Sequence, residues 1–417
     1  MKNKQLILTG FVSLALASAA CADLTVNITG ATAFRAAATF SIIAYLGGTG
    51  VTTFAFDTNT GTTAGGSNRS IFRGTVSGLG VVTVRASWSG STAGIAAVAA
   101  GTPVQVFLPG TTLTTAGNGF AAAGTNFETA PASFAFSDVA QAASNTLSPI
   151  LSGTQVGVVP FEFMANQSAH AVPLMNNMTD QIMASIYSTS QVPLRVFTGA
   201  LTDVKKVFPT GRNNGSGSRA TVLGETRFGF FTGVQQYRNF ETGGHNGPGP
   251  IDKIDFALNG GNSSNSFLRD LMKGTSGAVD LYEDVTTPNP TPGGPPIVTS
   301  TKFEDDVDCL LITYLTRSDA ISAAVDPDGA GPQKGAKPLT YNGVPYSDDA
   351  VKTGAYTLWG YQWLYQAPTI SADEVTFRNA FTTTIPNNLG TAAIPIPLMK
   401  ATRAGGDGGP ITPNFLP

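Results

Sequence analysis

The sequence predicts an α/β protein with a largely parallel, doubly wound sheet. Short apolar strands alternate with helical stretches, and a unit of strand, small-residue turn and helix recurs near the N-terminus. Residues 24–28 alternate as a strand, run into Gly30-Ala31-Thr32-Ala33-Phe34 and continue as an Ala-rich helical pattern over Arg35–Tyr45. Residues 81–87 read as the second strand, and the turn from Trp88 to Gly94 leads to a helix at 95–100. The third unit is an apolar run at 134–137, ending at Asp138 before a helical stretch at 139–143. Such units aim backbone N–H groups at an anion, because the first N–H groups of a helix have no acceptor within it. Farther on, strands are expected at 155–163, 194–198, 206–208 and 310–315, and helices at 178–187 and 267–272. Residues 239–265 and 286–296, dense in Gly, Pro, Asn and Thr, read as surface loops.

The first residues indicate the compartment. Lys2 and Lys4 precede an apolar run from Leu6 to Ala17, and small residues follow as far as Ala20-Cys21-Ala22. That is the pattern of a secretory signal peptide over residues 1–22. Cleavage after Ala22 fits the small-x-small rule; lipoprotein processing at Cys21 is the alternative, with Ser18 standing where a large aliphatic residue is usual. The mature chain is therefore expected to be periplasmic or secreted, with no further span, since later apolar stretches fall short of the ~20 residues a membrane helix needs. Without residues 1–22, 22 Lys and Arg stand against 27 Asp and Glu, a net charge of −5 with histidine neutral. This excludes a basic nucleic-acid footprint. Once Cys21 leaves, Cys309 stands alone and no intramolecular disulfide can form.

Gly215-Ser216-Gly217-Ser218 carries the chemistry. Glycines let consecutive backbone N–H groups converge where a helix begins, and a phosphate-sized anion fits there. Arg212 and Arg219 flank the segment with guanidinium forks that match an oxyanion. A flexible Gly/Ser turn is the competing reading of the segment taken alone.

Arg212 to Arg219 resembles the arginine, spacer, Gly-Ser-Gly-Thr segment of the periplasmic phosphate-binding proteins that serve ABC transporters, with Ser218 in place of the threonine. Gly30 to Phe34 resembles that family's first phosphate loop, Gly90 to Ile95 its second, and Phe136-Ser137-Asp138 the element that supplies an aspartate. Val158-Val159-Pro160 is similar to its hinge strand, and Tyr356-Thr357-Leu358-Trp359 to part of its closing segment. The resemblance spans roughly residues 25–385 in family order. It implies a type 2 periplasmic-binding-protein fold, two doubly wound lobes with an interlobe ligand cleft. Residues 23–160 and 313–400 would build lobe 1 and residues 161–312 lobe 2, with crossings near Pro160 and Thr313 and a flexible tail at 401–417.

The resemblance also implies the site. Ligand contacts fall on Ala33 and Phe34 through backbone N–H groups, with Thr32 able to supply a hydroxyl by a one-residue shift, and on Ser91, Asp138, Arg212, Ser216, Gly217 and Ser218. Two positions depart from the pattern: Ala33 stands where the family has threonine, and Asn214 where a second aspartate pairs with the arginine. These departures widen the expected ligands from phosphate to other tetrahedral oxyanions or a phosphate ester. Asp138 is the selective element, because a carboxylate in an anion pocket needs a ligand that still carries a proton, as hydrogen phosphate does and sulfate does not. A helix N-cap is the bland alternative for Asp138.

The expected function is thus a solute-binding protein that captures phosphate or a similar oxyanion for an ABC permease or a sensor. It catalyses nothing and needs no cofactor. A secreted structural or adhesive protein reusing the fold is the alternative, suggested by the 12% charged residues and the Gly/Thr/Asn-rich insertions. His170 and His245 read as surface residues, Asp326-Pro327-Asp328-Gly329 as a solvated turn, and the run from Glu304 to Asp308 as a solvated face. Trp359, Tyr361, Trp363 and Tyr365 alternate as one aromatic strand face packed on the core.

Overall fold

The computed structural model describes residues 23–121, 126–240, 244–291, 295–325 and 335–413. The signal-peptide segment and the Asp326–Gly329 turn lie outside them. The first half of the chain forms β1 (Leu24–Gly30), α1 (Arg35–Tyr45), β2 (Thr53–Asp57), β3 (Arg69–Val76), β4 (Gly80–Ser87), α2 (Ser91–Ala100), β5 (Phe134–Ser137) and β6 (Gly153–Ala165). Next come α3 (Asp180–Thr189), β7 (Lys206–Pro209), α4 (Gly217–Glu225), β8 (Tyr237–Asn239), β9 (Lys253–Phe256), α5 (Asn265–Met272), β10 (Ala278–Thr287) and β11 (Ile297–Thr316). The chain closes with α6 (Arg317–Ala324), β12 (Trp359–Gln366), α7 (Ala372–Thr384), β13 (Ala401–Arg403) and β14 (Ile411–Pro413).

β1 lies between β4 and β5 and is parallel to both, so the strand order reverses at β1. That reversal is a topological switch point, where open α/β sheets leave a crevice at the carboxyl ends of their strands. β12, returning from late in the chain, runs antiparallel between β5 and β6. β6 pairs with β12 from Gly153 to Pro160 and with β11 from Phe161 to Ala165, and so belongs to both halves of the sheet. Beyond it β11 is parallel to β7 and antiparallel to β10, with β9 and β8 outermost. The architecture is α/β as expected, two sheet halves with helices packed on their faces, but the sheet is mixed rather than largely parallel: β2–β3, β3–β4, β5–β12, β6–β12, β6–β11 and β10–β11 all pair antiparallel. The period of 2 in β5 shows how: Phe134 and Phe136 enter the main core with Phe377 and Phe381 of α7, whereas Ala135 faces Ile95 and Val98 of α2. Burying each phenylalanine side chain contributes roughly 1.5–3 kcal/mol.

Several local expectations change. Residues 194–198 form a single helical turn over Arg195–Thr198, because Leu194 N–H is taken by Lys205 O and the turn closes at left-handed Gly199. Residues 139–143 shorten to a 3-10 turn at Gln141–Ala143, held where the Gln141 amide bonds Thr146 O, Pro149 O and Leu151 N–H. The two supposed loops carry ladders: β9 falls within residues 239–265, and β10 and β11 make a long hairpin around 288–296. His245 is buried, since its N–H and C=O close a pair of bonds with the Asn239 amide, while His170 is half-buried with its Nε2 on Gly335 O. The acidic run is ion-paired as well as solvated, Glu304 to Lys206, Asp305 to Lys302 and Asp308 to Lys205. A bulge between Gln362 and Trp363 divides the aromatic face: Trp359 and Tyr361 enter the main core, and Tyr365 packs with Trp363 against α2 residues.

Residues 401–413, expected as part of a flexible tail, pair as β13 and β14 and are anchored by buried polar groups. Arg403 donates to Glu225 Oε2 at 2.6 Å, to Thr357 O at 2.6 Å and to Trp359 O at 3.0 Å, and lies over the Trp359 ring. Asp407 Oδ2 accepts from Ala140 N–H at 2.6 Å. This strap therefore ties the C-terminal end of α4 to the turn just after β5. No periodicity signals it, because its anchors are single side chains in a Gly-rich segment.

Candidate functional site

The turns after β1, β4 and β5 are bonded to one another at the switch point. Gly90 N–H donates to Gly30 O at 2.9 Å, and Ala31 N–H to Phe136 O at 2.8 Å. Gly90 sits at φ 106°, a left-handed region open to glycine, which lets the chain leave β4 and start α2 directly at Ser91. From the other half of the sheet, β7 ends at Pro209 and the following turn delivers α4, capped by Ser216 Oγ accepting from Arg219 N–H. α4 docks so closely that a Cβ on Gly217 would lie 2.2 Å from Ser91 Oγ and 3.0 Å from Asp138 Cβ. Only glycine fits there, as the close-approach role of the Gly-Ser-Gly-Ser segment requires.

Asp138 is at the centre of this contact and is 1% exposed. Its N–H donates to Ser91 Oγ at 3.2 Å, its C=O accepts from Thr221 Oγ1 at 3.3 Å, and its Oδ2 accepts from Ser218 Oγ at 3.4 Å. Its Oδ1 is buried and accepts no well-aligned hydrogen bond; the Ser91 hydroxyl is close enough to lower the carboxyl but is aligned with the Asp138 N–H. Desolvation raises the carboxyl to about 6, against the lowering influence of Ser91, Arg212 and Ser218. No helix follows at once and no helical N–H reaches the carboxylate, so Asp138 is not a cap.

Arg212 is 1% exposed and lies within electrostatic reach of Asp138. Asn214 does not orient it; that side chain is exposed and its backbone C=O faces Thr92 Oγ1 at 3.4 Å. Three neutral acceptors orient Arg212 instead: Asn262 O takes Nε at 3.1 Å, Asn265 Oδ1 takes Nη1 at 2.9 Å and Ser263 O takes Nη2 at 2.9 Å. A carbonyl cradle fixes the fork as a carboxylate would, but brings no negative charge to it. Two of the five guanidinium N–H groups remain beyond these bonds. Arg219 is held in the same neutral way by Asn259 O and Oδ1, at 2.9 and 2.6 Å.

A further cation was not foreseen. Arg35, the first residue of α1, is 9% exposed, with Nε on Gly65 O and Nη1 on Asn68 Oδ1. Burial lowers it to about 10, and the like charges of Arg212 and Arg269 act in the same direction while Asp319 opposes them. Among the described residues neither Arg35 nor Arg212 has a carboxylate within ion-pair distance. Two desolvated guanidinium groups thus lie within electrostatic range of each other, and Arg212 is the one coupled to the buried carboxyl of Asp138. The sequence held one clue to Arg35, a lone charge opening an Ala-rich helix with no acid one turn away.

Of the expected contacts, Ser91, Asp138, Gly217 and Ser218 come together, with Arg212 beside them. Ser216 spends its hydroxyl on the α4 cap. Thr32 is half-buried; Ala33 and Phe34 head α1, where first-turn N–H groups have no helical acceptor, and the Phe34 ring packs on Phe136 at 5.1 Å. A groove of about 120 Å³ lined by Thr92, Ser144, Asn214, Ser216, Arg219 and Asn259 opens beside the contact.

No family profile matches the sequence, and no curated protein matches it. Among solved structures the chain is similar to a putative phosphate ABC transporter substrate-binding protein with bound phosphate from Clostridium perfringens, at 11% identity and TM-score 0.43 over 87% of this chain and 93% of that one. It is similar to an ABC-type phosphate transport receptor from Vibrio cholerae, at 13% identity and TM-score 0.43 over 88% and 99%. PstS from Borrelia burgdorferi aligns at 13% identity and TM-score 0.38 over 89% and 99%. In each case the likeness is one of chain course at very low identity.

Proposed function

We propose that this chain is an extracytoplasmic solute-binding protein that captures phosphate or a similar tetrahedral oxyanion, for an ABC permease or a sensor. The observation that carries the reading is the meeting of a buried carboxyl oxygen on Asp138 that accepts no well-aligned hydrogen bond with the guanidinium of Arg212, cradled by neutral acceptors, at the start of α4. A singly protonated oxyanion answers both groups, giving its proton to Asp138 Oδ1 and its charge to Arg212 and the N–H groups of Gly217 and Ser218. The lobes are taken as 23–160 with 313–400 and as 161–312, joined through β6 and β11. Calorimetric titration of the mature protein with phosphate, sulfate and a phosphate monoester tests the reading; heat from none of them would overturn it.

A structural or adhesive role is favoured by one observation, the tightness with which α4 and the strap close on the β5 turn. That reading expects no oxyanion binding at all, so the same titration separates the two.

A further inference from the structure

Around Arg212 the buried polar groups without a partner, among the described residues, are two acceptors, Asp138 Oδ1 and Gln236 Oε1, and one donor. Asn265, the first residue of α5, is 3% exposed, and its Nδ2 is buried without a partner. The orientation of that amide is fixed by its neighbour: Arg212 can only donate, so Asn265 must turn Oδ1 toward Nη1 and Nδ2 away. Nδ2 is therefore presented beside Arg212, at the N-terminus of an eight-residue helix whose own dipole favours an anion. Arg35, the first residue of α1, lies within electrostatic range of Arg212 and adds positive potential to this region, whereas Arg269, one turn along α5, is paired with Asp270 and Asp319. An unpaired buried amide donor is costly, so the position favours an acceptor.

We propose that Asn265 is a ligand-contacting residue whose Nδ2 donates to the bound oxyanion, on the side opposite the proton that the ligand gives to Asp138. This rests on the oxyanion-receptor reading above and adds a specificity determinant to it. The site then reads a ligand at two ends, a proton-bearing oxygen toward Asp138 and a bare oxygen toward α5. A fully ionised ligand fails the first end, and one with no free acceptor oxygen on the α5 side fails the second.

Two substitutions separate this role from a structural one. Asn265→Asp keeps size and keeps the acceptor that holds Arg212 Nη1, but replaces the donor with a second anionic oxygen. Asn214→Asp adds the same charge on the exposed turn two residues from Arg212 and removes no cleft donor. Calorimetric titration with inorganic phosphate should show Asn265→Asp weakened at least about tenfold, and Asn214→Asp within about threefold of the wild type. In the wild type, the ¹⁵N–¹H pair of the Asn265 side-chain amide should shift on adding phosphate, a readout that does not depend on a variant folding. Equal losses in the two variants, full affinity in Asn265→Asp, or an unmoved amide resonance would overturn the inference while leaving the receptor reading intact. Absence of phosphate binding in the wild type, with sulfate and a phosphate monoester also silent, would remove both.

Discussion

Asp138→Asn tests the electrostatics of the site without any ligand. The carboxyl stands at about 6 in the folded protein, against an ordinary value of 3.8, with desolvation the largest cause. Between those values the native state holds a proton that the unfolded state has released, so stability falls as pH rises from about 4 to about 6 and stays low above that. Two units correspond to roughly 3 kcal/mol. Asparagine cannot ionise and can turn its oxygen to Ser218, but it leaves a neutral donor where Oδ1 stood, which offsets about 1 kcal/mol. The substitution should therefore stabilise the ligand-free protein by about 2 kcal/mol at about pH 8, and by much less at about pH 4. Urea denaturation of both proteins at the two pH values measures this. Asp407, also raised to about 6, supplies a remaining slope of the same sign in both. Equal stability of the two proteins at the higher pH would refute the claim that Asp138 is a desolvated, incompletely bonded carboxyl. In competition titrations the same substitution should shift preference from phosphate toward sulfate.

Arg212→Ala should weaken phosphate binding by about 2 to 4 kcal/mol in calorimetry, because a desolvated anion loses its fork and three acceptors lose their donor. Gly217→Ala should cost about 1–3 kcal/mol in denaturation, since its Cβ would overlap Ser91 Oγ, and Ser91→Gly in the same chain should recover most of it. Arg403→Ala leaves Glu225 buried without its cation and should destabilise by about 3–5 kcal/mol, read as a lowered denaturation midpoint.

What the sequence disclosed follows from which interactions are local. The turns at Gly30, Gly90 and Gly215–Ser218 were legible because a glycine standing between a strand period and a helix period marks a tight turn on its own. Asp138 was legible as an acid closing an apolar run. Arg35 was not, since its meaning comes from Asn68 and from Arg212, both far along the chain. The Asn262–Asn265 cradle was hidden for the same reason: the resemblance put an acidic partner of Arg212 at position 214, where asparagine stands, but nothing local said that a loop some fifty residues on holds the guanidinium. The bulge at Gln362 and the turn at Arg195–Thr198 were lost because short apolar stretches satisfy two periodicities equally.

The C-terminal strap has a kinetic consequence. Separation of α4 from the β5 turn must break either the Arg403–Glu225 pair, whose side chains are 1% and 10% exposed, or the bond from Ala140 to Asp407. On the proposed receptor reading, the shut arrangement is the resting one with or without ligand, and entry waits on rare excursions. Association should be far slower than diffusion and nearly independent of how tightly the ligand is finally held. X-ray scattering profiles with and without phosphate should nearly superimpose, and cutting the chain after Lys400 should speed uptake and escape together.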